Sequence, residues 1–344
     1  MGGRSVKLIP LSATLAFASL PFLLWPSIGS GEERVVLDRP DPEGVPTLVS
    51  TGIVLTNIHE INAEKQSYLA NVFVKLRWKD PRLAERSGAT RRRALESIWH
   101  PNVYPAKSES TIEKLSKTVT VEPDGTVTYL QIYQGRFTVP LYLSDFPFDQ
   151  HELQFRIASI NYSPDEIKFI RDEVEGLSGF GRDLTVPDWK IGDWHVEAEG
   201  YQPILGDLTL ASYVFRFDAY RRIGYFVVQI FIPLTLIIFM SWIVFWIDPT
   251  HVGPQLGIAT TSMLTLIAYR FAIGNLLPAI SYLTRMDYFM LSSTGLVFLA
   301  LVEVGYTSRL VGRQKETLAR RINMLSRILF PLAFVAIIFW SFVF

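Results

Sequence analysis

The side chains that could carry chemistry in this 344-residue chain are few, and they point away from catalysis. Its five histidines are dispersed. His151-Glu152-Leu153-Gln154-Phe155 begins like a helical zinc-protease motif, but Phe155 stands where the second histidine ligand is needed. There is no cysteine, which removes disulfides, thiol nucleophiles and cysteine metal sites together. Neither a nucleophile elbow nor a phosphate-binding glycine loop occurs. The residues therefore predict no enzyme and imply no cofactor or metal. A formal net charge of zero gives no electrostatic reason to expect nucleic acid as a partner.

One spacing does suit a function, and it concerns ions. On an ideal helix, Gly257, Thr261, Leu264, Ala268, Phe271 and Asn275 fall within an arc of roughly 80°. The stripe runs from a small polar end, through three apolar layers, to an amide. A ring of such helices would enclose a pore with a hydroxyl ring and a hydrophobic constriction, and such constrictions gate by dewetting. The same small and aliphatic residues also make an ordinary packing face between membrane helices, and periodicity leaves both readings open. Arg270 and Glu303 lie inside apolar runs, where charge is costly. Arg270 sits about 140° from the centre of the stripe, so it is expected to face neighbouring helices or to reach towards Asp287. Glu303 is expected to be structural or interfacial.

The elements that must position these residues change abruptly along the chain. Hydrophobic residues make up 49% of it and are concentrated in the last third. Four apolar runs, at about 225–247, 256–277, 287–308 and 322–344, are long enough to cross ~30 Å of hydrocarbon as helices. Open strands cannot, because their backbone groups would go unpaired in lipid. The link from Arg309 to Arg321 carries Arg309, Arg313, Lys315, Arg320 and Arg321, which places it in the cytoplasm. The link 248–255 is then also cytoplasmic, while the link starting at Pro278, the N-terminal part and the C-terminus are on the other side. Residues 1–31 agree: Arg4 and Lys7 precede an apolar stretch, Leu8 to Leu24, and small residues follow. This reads as a signal peptide, since Pro21 and Pro26 disfavour the alternative of an uncleaved anchor helix.

Between residues 32 and 222 the pattern is short and alternating. Ser67 to Trp78 is rich in β-branched and aromatic residues. Thr118 to Tyr133 reads as two strands around Pro123-Asp124-Gly125, and Glu152 to Ile157 as another strand. Trp194 to Ile204 and Tyr213 to Tyr220 form a pair joined by Gly206-Asp207. Asp80 to Ser97 is a helical or loop insert. The fold class is thus an antiparallel β-sandwich domain (32–222) followed by a four-helix transmembrane bundle (223–344).

Several motifs, in order, give this chain its resemblance to a known family. Trp78-Lys79-Asp80-Pro81-Arg82-Leu83, Trp99-His100-Pro101-Asn102 and Phe146-Pro147-Phe148-Asp149 are followed by Arg221 just before the first span, Pro233 within it, and Leu256 to Pro278. The set resembles the pentameric ligand-gated ion channels, the Cys-loop receptor superfamily, and specifically its bacterial cysteine-less members. Val139 and Leu153 occupy the places of the loop cysteines. The resemblance implies a homopentamer in a bacterial inner membrane with the N-terminal domain on the periplasmic or extracellular side. Its partners would be a small-molecule agonist or protons, inorganic ions and lipid. It also implies that Gly257, Thr261, Leu264, Ala268, Phe271 and Asn275 line the pore, with Leu264 as the gate ring and Phe271 as an outer constriction. Ligand-binding positions would be Phe73, Tyr104, Ile160, Tyr162 and Tyr201. Ile160 replaces an expected aromatic, and Ala158 stands where a carboxylate can hold an amine, a place Glu199 could fill from the face of Tyr201. Amines suit aromatic boxes, while His59, His100, His151 and His195 are candidates for proton sensing. Phe148, Asp149, Arg221, Pro278 and the turn Ile58 to Gln66 would couple the two domains, with Asp149 paired to Arg221. The inner pore mouth, Gly253-Pro254-Gln255, has neither the carboxylate of cation channels nor the arginine of anion channels. The bacterial relatives favour a cation channel.

Overall fold

The computed structural model describes residues 37–42, 44–85, 88–173, 176–182, 184–204, 206–274, 277 and 280–343. The signal-peptide reading of residues 1–31, and the expected roles of Asn275 and Pro278, fall outside them. Two sheets face each other through the first two thirds of the chain. The larger holds β1 (Thr47–Asn62), β2 (Ser67–Lys79), β3 (Arg91–Ala94), β5 (Ser108–Glu113), β6 (Thr118–Val121), β7 (Thr126–Thr138), β9 (Ile167–Arg171) and β10 (Gly179–Phe180). The smaller holds β4 (Val103–Ala106), β8 (Gln150–Ser159), β11 (Trp189–Tyr201) and β12 (Leu210–Arg221), in the order β11-β12-β8-β4. Pairing is antiparallel except where β9 and β10 run parallel to β1.

Alternation builds the core. In β7, Val127, Tyr129, Gln131, Tyr133 and Phe137 are buried at every second position. Tyr133, Phe137 and Phe155 pack as a ring cluster between the sheets, joined by Tyr68 and Phe217. Trp78 meets Trp99 edge-on at 5.9 Å, and Trp99 Nε1 donates to the Tyr162 hydroxyl at 2.9 Å. The insert after Trp78 is a corner made by charge. Asp80 is fully buried and accepts from the backbone N–H of Arg82 and from its Nε and Nη2 at 3.1, 2.9 and 2.8 Å. A carboxylate so placed is satisfied only by such a fork. Gly125 closes the same corner with φ +83, and a Cβ there would lie 2.4 Å from the Asp80 carbonyl oxygen.

Four helical runs follow: α1 (Gly224–Trp246), α2 (Val252–Ala272), α3 (Arg285–Gly312) and α4 (Glu316–Val343). α1, α3 and α4 are long and apolar enough to cross a membrane. α2 has 21 residues and packs against α1 and α3. In α1 the turn before Pro233 is widened, Val227–Phe231 being π-helical, as expected where proline withholds an N–H. The basic link is shorter than its charges suggest. α3 and α4 take up all but three residues of it, so Arg309, Arg320 and Arg321 lie on helices.

Candidate functional site

The buried side of α2 is Gln255, Ala259, Ser262, Leu266 and, just past its end, Ile273. These recur at three- and four-residue steps, so they share one face. Gly257, Thr261, Leu264, Ala268 and Phe271 lie almost diametrically opposite on a helical wheel, and all five are exposed. Leu264 is 68% and Phe271 82% exposed in the isolated subunit. Among the described residues, the stripe is therefore bare of packing within its own chain. Arg270 is exposed as well. It does not reach Asp287, whose carboxylate is engaged in capping α3. Asp287 Oδ2 accepts from the Thr284 N–H at 2.9 Å and from its hydroxyl at 2.7 Å. The N3 carboxylate completes a capping box that the sequence Thr284-Arg285-Met286-Asp287 encodes locally.

A second constellation lies where the sandwich meets the helices. In the β8–β12 ladder Gln150 stands opposite Tyr220, so the next step outward brings Asp149 to Arg221. Arg221 Nε reaches Asp149 Oδ1 at 2.7 Å and Nη2 reaches Oδ2 at 2.8 Å, a bidentate pair. His151 Nε2 lies 2.8 Å from the same Oδ2. The guanidinium is 4.2 Å from the Trp189 ring and 5.0 Å from that of Phe146. Asp149 is 3% exposed. Burial pushes its carboxyl upward, but the hydrogen bonds from His151 and Arg221 outweigh it and hold the group below the ordinary carboxylate range.

The segment from Leu143 to Phe148 then rests on the bundle. The first N–H groups of α3, which have no partner within the helix, are taken by Ser144 and Phe146: Arg285 N donates to Ser144 O at 2.9 Å and Met286 N to Phe146 O at 3.2 Å. Phe148 packs against Phe231 of α1 and Phe342 of α4. Arg285 ties Asp145 to the Phe342 carbonyl at 2.6 and 2.9 Å. Gln66 grips Leu141 with both ends of its amide, at 2.8 and 2.7 Å. The turn carrying Gln66 is shorter than the expected Ile58-to-Gln66, because Ile58 to Asn62 pair with Ser67 to Ala70 and extend the hairpin. Trp189, Arg285, Phe342 and Tyr282, whose hydroxyl accepts from the Leu143 N–H at 2.9 Å, were not legible as junction residues. Their partners are far away in sequence, and no local pattern marks them.

The expected ligand positions divide between the two sheets. Tyr104 is on β4, Tyr201 ends β11, and Ile160, 52% exposed, follows β8, all in the smaller sheet. Phe73 is on β2 of the larger sheet, on the side opposite buried Val72 and Val74. Tyr162 belongs elsewhere: its hydroxyl accepts from Trp99 and its ring packs at the core. Glu199 does not stand free for an amine. Arg156 and Arg216 bind it at 2.5 and 2.9 Å, and these contacts, though opposed by burial, hold it below the usual range. The Arg156 guanidinium also lies 5.0 Å from the Tyr201 ring, the place an ammonium group would take. Of the histidines, His100 is pushed down by burial and by Lys117, while His195 is exposed.

Comparison with known families gives two matches in succession. The model described as neurotransmitter-gated ion-channel ligand binding domain matches residues 36–193, and that described as neurotransmitter-gated ion-channel transmembrane region matches residues 230–321. Together they cover more than two thirds of the chain. This chain belongs to that family. It is a ligand-gated ion-channel subunit and a membrane protein. In this channel subunit the link before α2 presents no charge to the exposed stripe. Gln255 is fully buried and donates to the carbonyls of Val244 and Ile247 at 3.2 and 3.0 Å. Asp248 is paired at 3.0 Å with Arg320 of α4.

Proposed function

We propose that five copies of this chain close a ring whose axis is lined by α2, with Gly257, Thr261, Leu264, Ala268, Phe271 and Asn275 facing the ions. The observation carrying this reading is the bare stripe. Leu264 and Phe271 are large apolar residues left exposed on a helix whose opposite face is already packed, and a ring of copies would give them an aqueous lumen narrow enough to dewet. Agonist or protons would act on the β domain, between the smaller sheet of one subunit (Tyr104, Ile160, Tyr201) and Phe73 on the next. Opening would pass through Phe148, Asp149, Arg221 and the link starting at Pro278. We place the β domain in the periplasm and the protein in the bacterial inner membrane. The basic segment 309–321 supports that orientation.

The conducted ion is proposed to be a cation. The stripe carries no lysine or arginine, and Arg270 projects away from it. The test is current from the whole protein in planar bilayers, scanned over pH and small amines under asymmetric salt. A gated current that Leu264→Ala or Phe271→Ala alters is expected, reversing near the cation potential. Reversal at the chloride potential selects the anion alternative. Silence of the wild type and both variants under every condition means that α2 only packs and that the chain is an anchored receptor.

A further inference from the structure

Glu303 takes no part in the stripe or the junction, yet it holds a carboxylate inside a membrane-crossing helix. It lies nine residues before the end of α3 at Gly312, roughly 13 Å along the axis. The apolar run itself ends at about residue 308, so Glu303 lies roughly 7 Å inside it, where a charge is costly and marks function by default. Both its carboxylate oxygens are buried without a hydrogen-bond partner among the described residues. The nearby cations are engaged elsewhere. Arg327 donates to the Phe245 carbonyl at 2.9 Å and lies 4.8 Å from the Trp246 ring, and Arg320 pairs with Asp248.

Beside this carboxylate the helices leave room. Leu296, Ala300 and Glu303 on α3 face Ser326, Phe330 and Ala333 on α4, each set at steps of four and three residues. Between them, with Phe245 at one wall, is a cavity of about 240 Å³. It exceeds the ~150 Å³ apolar cavity that suffices for benzene. Its lining is apolar apart from Glu303 and Ser326.

We propose that this cavity between α3 and α4 binds a small lipophilic amine, its apolar body lying against Leu296, Phe330 and Ala333 and its ammonium group paired with Glu303. An ammonium supplies the charge and the donors that the carboxylate lacks, and the apolar body enters from lipid. The site is separate from the aromatic positions of the β domain.

Octylamine binding to the purified full-length protein in phosphatidylcholine nanodiscs tests this, read as the rise in melting temperature with dose. Octanol serves as the uncharged control. A saturable rise with octylamine that octanol does not match is expected, weakened at least tenfold in Glu303→Gln. Ala333→Phe, which fills the cavity and keeps the carboxylate, is expected to abolish it. Without amine, Glu303→Gln should melt no lower than the wild type, because no partner is lost. Equal responses to octanol and octylamine overturn the proposal, as does undiminished octylamine binding in Ala333→Phe. A Glu303→Gln protein that melts well below the wild type without amine overturns it too, since the carboxylate would then have a structural partner in the assembly. If Glu303→Gln does not fold, the Ala333→Phe comparison decides alone.

Discussion

The junction of sandwich and bundle and the exposed face of α2 sit in the same subunit and are finished to opposite degrees. At the junction every charge that matters has its partner inside the chain: Asp149 with Arg221 and His151, and Arg285 with Asp145. On α2 the face carrying Leu264 and Phe271 has none. The difference teaches where this protein completes itself. Its domain-to-domain connection is a folding product of one chain, while the stripe, on the function proposed above, is left for other copies to finish.

That contrast is most easily broken at the junction. Replacing Arg221 by Ala leaves a buried carboxylate with only His151, and removing one member of such a pair costs about 3–5 kcal/mol. A marked fall in melting temperature of the detergent-solubilised protein is expected, and an unchanged value would show that the pair is dispensable. The pH dependence has a definite sign. Asp149 has a folded pKa below its unfolded value, so its contribution is present above the unfolded range near pH 4 and is lost only as pH falls through the lower folded value. Acid titration of Asp149→Asn, whose melting temperature should not show that loss, checks it.

Leu264→Ala probes the other region, where the expectation is reversed. An exposed position should change subunit stability by no more than about 0.5 kcal/mol. The open–closed balance, by contrast, should move roughly tenfold, or about 1.4 kcal/mol, seen as unstimulated current. A large loss of stability with unaltered current would make the stripe a packing face. A smaller effect is expected at the ligand positions. Arg156→Met frees the Tyr201 face, and an ammonium placed there gains about 0.5–2 kcal/mol. Tetramethylammonium should then bind or activate more tightly than in the wild type, by about two- to thirtyfold. The smallest effect separates the core tyrosine Tyr162 from Tyr104, whose proposed role is towards a ligand. Tyr162→Phe leaves Trp99 Nε1 without its acceptor at a cost of about 1 kcal/mol, whereas Tyr104→Phe should leave the melting temperature within experimental scatter.

Much of the fold was legible because it is written in local periods. The strands around Ser67–Trp78 and Thr118–Tyr133 announce themselves by alternation and the helical runs by apolar length, whereas the local capping motif Thr284-Arg285-Met286-Asp287 was passed over in favour of a pairing with Arg270. The strand β1 was harder to see. Its second half, Thr56 to Asn62, is rich in polar residues, and it holds its place by pairing with β2, β9 and β10 rather than by its own pattern. Within the candidate sites, Asp149 and Arg221 could be named from sequence only through resemblance. Their third neighbours, His151, Trp189 and Phe146, required the register of β8 against β12. The placing of Tyr162 in the core, and of Arg156 over Tyr201, depended on which side chains face each other across strands, and a single strand does not reveal that.

By itself, then, the sequence determined the division into a β domain and a helical bundle, the absence of cysteine chemistry, and the stripe on α2. These follow from composition and from spacing along one element, quantities that a linear chain carries directly. The tertiary structure alone decided which face of α2 is spent on packing and that Glu199 is already held by two arginines. It also decided that Glu303 is left without a partner among the described residues, beside a cavity. Burial and partnership are properties of pairs brought together from distant parts of the chain, so they come into existence only when the strands and helices have found one another.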